Sequence, residues 1–114
     1  MANTFLSETD ASIGTSAATV FTCPSSTQST IIGLSVANRT TAQILVDVQL
    51  DASGRTSGAE DSVYLVKAAP VPAGSSLVVI GGDQKVVMEP GDEIVVTSDT
   101  ASSADVVLSH LDIT

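Results

Sequence analysis

The sequence predicts an all-β fold, a single sandwich of about eight antiparallel strands carrying an N-terminal arm. Three observations predict it. Valine, isoleucine and threonine supply 35 of the 114 residues, and their branched side chains suit a pleated strand better than a helix. No window sustains an i, i+3, i+4, i+7 apolar pattern free of glycine, proline or β-branched residues. Short apolar runs recur every ~8–12 residues between turn-forming clusters, the cadence of a two-sheet sandwich. Immunoglobulin-like and jelly-roll connectivity both fit that cadence.

Residues 1–12 are polar apart from Phe5 and Leu6 and read as an arm, with the sandwich domain following over 13–114. The first run, Ala17–Thr22, is closed by Cys23-Pro24-Ser25-Ser26. Thr30–Asn38 places Ile32, Leu34 and Val36 on one face. Gln43–Leu50 alternates Ile44, Val46, Val48 and Leu50 with Leu45, Asp47 and Gln49. These two runs carry the clearest period-two signal and are expected to pair with each other through the short Arg39-Thr40-Thr41 connection. Asp51–Asp61 reads as an exposed loop and Ser62–Lys67 as a short strand. The stretch Ala69-Pro70-Val71-Pro72-Ala73-Gly74 reads as an extended connection, because proline supplies no N–H. Ser76–Ile80, Lys85–Glu89, Glu93–Ser98 and Asp105–Ile113 complete the strands. Gly81-Gly82-Asp83, Pro90-Gly91-Asp92 and Asp99–Ser103 are the turns between them.

Hydrophobic residues make up 43% of the chain, enough for one core without disulfides or metal. Only Phe5, Phe21 and Tyr64 are aromatic, so that core is aliphatic. The net charge of −9 argues against binding a nucleic-acid backbone or an anionic membrane. It also makes copies repel at long range, so self-assembly depends on short-range contacts. The lone Cys23 excludes an intrachain disulfide. The opening residues lack the basic and apolar regions of a secretory signal, which predicts synthesis in a cytoplasm. Asn38-Arg39-Thr40 matches a glycosylation acceptor, expected to be a chance match without a secretory route.

No catalytic apparatus is legible, and no cofactor or metal is expected. His110 and Asp112 share a strand face and could touch, but a triad also needs a nucleophile, and no nucleophile elbow accompanies them. His110 is expected to be solvated or at an interface. Cys23 has no basic neighbour to hold a thiolate and is expected to be buried at a strand end. Gly81-Gly82-Asp83-Gln84-Lys85 lacks the ending of a phosphate loop. Glu89, Asp92, Glu93, Asp99 and Asp105 lack the dense spacing of a calcium loop and are expected to be solvated. With no tryptophan and one tyrosine, a sugar site would depend on the loops at 51–61 and 81–84.

What does stand out is apolar character on both faces of Leu77-Val78-Val79-Ile80, Ile94-Val95-Val96 and Val106-Val107-Leu108. A sandwich has one inward face per sheet, so the excess predicts a covered outer face. Phe5, Leu6, Val78, Ile80, Val95 and Val107 are the expected protein-contact residues.

The segments Val20-Phe21-Thr22-Cys23-Pro24, Ile31–Asn38, Tyr64–Ser76 and Pro90-Gly91-Asp92 resemble small virion structural proteins of tailed phages, particularly those of marine and cyanobacterial hosts. The resemblance covers roughly residues 15–114 and rests on pattern and cadence, not on a functional motif. It implies a non-enzymatic virion component made in the host cytoplasm, an oligomeric capsid decoration or cement protein. Its partners would be other virion proteins, the major capsid protein or those of the neck or tail. A neck or tail protein, a glycan-binding adhesin and a small hydrolase centred on His110 are the competing expectations.

Overall fold

The computed structural model describes residues 3–54 and 62–114, and these form nine strands without a helix. In chain order they are β1 (Asn3–Ile13), β2 (Ala18–Thr22), β3 (Gln28–Asn38), β4 (Ile44–Asp51), β5 (Val63–Val71), β6 (Ser76–Ile80), β7 (Val86–Met88), β8 (Glu93–Ser98) and β9 (Ala104–Ile113). One sheet runs β1-β9-β3-β6, with β7 also on β3; the other runs β2-β8-β4-β5. Every pairing is antiparallel. Of the residues expected in the 51–61 loop, 55–61 lie outside the described ones.

This order settles the connectivity as a jelly roll, in which the first strand pairs with the last and the chain steps repeatedly between sheets. Strands β6 and β7 line the same side of β3, against Leu34–Ala37 and Ser29–Ile31 respectively. They act as one strand interrupted at the Gly81-Gly82 turn.

The core is aliphatic, as the composition requires. Ile31, Leu34, Val36, Ile80, Met88, Val106 and Leu108 from the first sheet meet Ile44, Val46, Val48, Val71, Ile94 and Val96 from the second. Alternate residues of β4, β8 and β9 point inward, the period-two pattern of a sheet with one buried face.

Four expectations need correction. First, β3 and β4 do not pair. They lie in opposite sheets, and residues 39–43 carry the chain across the sandwich. Buried Asn38 staples that crossing: its amide donates to Ala42 O (2.8 Å) and Val71 O (2.9 Å), and its Oδ1 accepts from Thr40 N (2.8 Å). Second, the inward residues of β3 are Ile31, Leu34 and Val36, because a bulge between Ile31 and Gly33 shifts the register and turns Ile32 away from the core. Third, β5 continues through Pro70. As the edge strand of its sheet it tolerates a residue without an N–H. Its register shifts against β4 near Asp47, whose carboxylate accepts from Ala68 N (2.7 Å) and pairs with Lys67 (3.2 Å). Fourth, the polar segment expected as an arm is strand β1, paired with β9 from Asn3↔Ile113 to Ile13↔Ala104. An edge strand buries little side chain, so its composition is polar.

The Asp51 carboxylate ties the end of β4 to Ser62 just before β5, accepting from Ser53 Oγ (2.6 Å), Ser62 Oγ (2.7 Å) and Ser53 N (3.0 Å). Those donors, the Ser53 hydroxyl first, hold its pKa below the ordinary carboxylate value. A depressed folded value contributes stability above the unfolded value, and this is lost as pH falls through the folded one. Asp51→Asn is therefore expected to lower the melting temperature at neutral pH. The difference from the parent should close on acidification, as read by thermal unfolding across a pH series.

Candidate functional site

Two features warrant a functional reading: a buried polar cluster around His110, and the outer faces of the sheets.

His110 sits inward on β9 with no exposed surface, so the expectation of a solvated or interface histidine is corrected. Strand periodicity puts Asp112 on the same face, and His110 Nδ1 lies 2.7 Å from Asp112 Oδ1. The pairing of β1 with β9 brings Glu8 alongside, with its Oε2 3.0 Å from His110 Nε2. Phe21 of β2 stacks on the ring, centroids 4.1 Å apart. Asp112 Oδ1 also accepts the Ser29 hydroxyl at 2.6 Å, and the Cys23 thiol lies 3.4 Å from Ser29 Oγ. The cluster thus joins β1, β2, β3 and β9, thereby tying the edge strand to both sheets.

The geometry is that of a brace. A nucleophilic relay needs a ring nitrogen free to take a proton from the attacking group. Here both nitrogens face carboxylates, and the one neighbouring hydroxyl donates to Asp112 instead of to the histidine. Both bonds to the ring are made together when both nitrogens carry a proton.

Cys23 is buried at the end of β2, as expected. Burial pushes its thiol pKa up, away from the reactive thiolate. Alkylation of folded Cys23 is accordingly expected to be slow and to rise to the rate of a free thiol in denaturant. Rapid labelling of the native chain would contradict this placement.

The acids expected to be solvated do not gather. Asp92 is fully buried, a correction, and its Oδ2 accepts from Glu89 N at 3.1 Å to close the Pro90-Gly91 turn. Glu93 and Asp99 flank β8 at opposite ends, while Asp105 accepts from Ser12 N (3.0 Å) and pairs with Arg39 (3.3 Å). Among the described residues no group of three or more histidines, cysteines or acids is placed to hold a metal ion. Residues 81–84 form a tight turn, Gln84 N donating to Gly81 O at 3.2 Å, with the Lys85 ammonium on Gly82 O.

The residues expected at a contact divide. Phe5 (71% exposed), Val78 (65%), Leu6 (45%) and Val107 (45%) present apolar surface. Val95 is half-buried on the outer side of β8, between Thr19 and Gln49. Ile80 is corrected to the core: a register shift between Leu34 and Ser35 pairs it with inward-facing Leu34. Val87, 59% exposed, was not singled out by sequence, because its neighbours Val86 and Met88 hide its direction.

No family model matches the chain, and no curated protein matches it. A solved structure described as "Bacillus endospore appendages form a novel family of disulfide-linked pili" superposes with a TM-score of 0.51 and 14% identity. The match covers 100% of this chain and 91% of that one. At that identity the likeness is one of fold alone.

Proposed function

We propose that this chain is a non-enzymatic structural subunit that assembles with copies of itself or with other structural proteins of a larger particle or filament. The observation that carries the reading is apolar surface set on regular strand positions, at Phe5, Val78, Val87 and Val107, beside a histidine whose nitrogens are both engaged in bracing the fold. The fold shared with a protein of disulfide-linked pili supports it. The linkage does not transfer, since the single cysteine is buried; subunits of this chain would join through non-covalent contacts. The finer reading is a virion component of a tailed phage, a capsid decoration or cement protein made in the host cytoplasm. It rests on the sequence resemblance.

Density-gradient fractionation of producing cells, probed with an antibody to the chain, tests both levels. The chain is expected in high-mass fractions at fixed stoichiometry to other proteins, and co-migration with phage particles would uphold the finer reading. High-mass fractions free of virions would remove the phage assignment alone. Recovery wholly as a small soluble species would overturn the structural role.

A further inference from the structure

The two outer faces of the sandwich differ in charge. Antiparallel partners share a face, so the register assigns each one. Outward from the β2-β8-β4-β5 sheet stand Asp47, Asp51 and Glu93, with Lys67 beside Asp47. On the outer side of the β1-β9-β3-β6/β7 sheet the charged residues among the described strand positions are Asp105, which pairs with Arg39, and Asp10 of edge strand β1, which lines a depression at the β1 bulge. The rest of that face is Phe5, Val107, Val78 and Val87 together with small or hydroxyl residues such as Ser109, Gly33, Ser35 and Ala37.

We propose that this apolar, sparsely charged outer face is the surface through which two copies of the chain pack face to face. The inference rests on the structural reading above and names its contact. In a chain of net charge −9, two copies meeting here bring one unpaired carboxylate each, Asp10 on the edge strand, with Asp105 paired to Arg39, whereas the other face would set Asp47, Asp51 and Glu93 against their copies. Its relief suits a self-complementary fit. Val78 and Phe5 protrude, while a depression of about 430 Å3 lies over Ala11, Ser35 and Ala37 with Asp10 and Asp105 at its margin, and one of about 220 Å3 over Gly33 and Ser109. Four strand columns of about ten residues span on the order of 600 Å2, near the roughly 800 Å2 per partner of a stable interface. Packed sheets at ~10 Å spacing would then continue the sandwich into a four-layer stack.

Sedimentation velocity of the full chain from about 1 to about 200 µM, spanning the common range of subunit affinities, tests the proposal. Self-association is expected, and Val78→Glu and Val107→Glu should each weaken it at least about tenfold by placing an unpaired charge in the contact. Gln49→Glu, on the opposite outer face, should leave it unchanged. Both valines are largely exposed in the single chain, and circular dichroism checks that each variant folds. A wild type monomeric throughout, charge variants that associate like wild type, or an equal loss from Gln49→Glu would overturn the assignment. If the chain nonetheless fractionates with high-mass particles, the structural role stands and only this face is wrong.

Discussion

His110→Ala is expected to destabilise the chain by about 3 kcal/mol, the range for truncating a large, fully buried side chain that also holds buried hydrogen bonds. The ring lies at 0% exposure, stacked on Phe21 and held at both nitrogens. Its loss opens a cavity between the sheets and leaves Asp112, 8% exposed, with the Ser29 hydroxyl in place of two donors. Glu8→Gln should cost less than about 1 kcal/mol, because a carboxylate 38% exposed in its side chain already shares its charge with water. Urea unfolding monitored by circular dichroism separates them: a midpoint lower by about 2 M is expected for His110→Ala, and a small shift for Glu8→Gln. Equal effects would mean that the ring is not the brace that the geometry makes it.

Gly91→Ala is the second large effect expected, a loss of about 2–3 kcal/mol from a forbidden backbone conformation combined with a backbone clash. Gly91 has φ +91°, and a Cβ there would stand 2.8 Å from Gly54 O; a Cβ on Gly54 would meet Gly91 O at 2.9 Å. Nothing flexible can yield, since both contacts are with main chain. The turn also carries Gly91 N→Cys23 O (3.0 Å) and Cys23 N→Asp92 O (2.8 Å), so its distortion reaches the end of β2. Gly82→Ala provides the comparison. Its φ is +61° with nothing within 4 Å of a Cβ, so the conformational cost of about 1 kcal/mol stands alone. Thermal unfolding of both variants checks the contrast, and equal losses would remove the steric part of the account.

Strand positions were legible because β-branched runs and turn clusters are local signals. Glu93–Ser98 and Ser76–Ile80 have the boundaries that the sequence assigned. What was not legible is long-range. The alternation in β3 and β4 reports that each has one buried face, and two facing sheets satisfy that as well as one shared sheet does. The bulge at Ile31–Gly33 moved the inward set from Ile32 to Ile31, and a one-residue shift leaves no mark on composition. Residues 1–12 read as an arm in the sequence because edge strands need few apolar residues. Of the candidate residues, His110 and Asp112 could be paired from their spacing, but Glu8 is 102 positions away from His110 and reaches it through the β1–β9 pairing alone. Two-sided apolar strands mark Val78, Val95, Val107 and Ile80 as contact candidates, but that pattern does not say which side is inner, and Ile80 lies in the core.

A cryo-electron microscopy map of the particle or filament that contains this chain tests the central claim most directly. The account predicts repeated copies of the nine-stranded sandwich at fixed stoichiometry, each with apolar strand-face surface covered by a neighbouring subunit. Density showing the chain as an isolated single copy with Phe5, Val78, Val87 and Val107 open to solvent would contradict it.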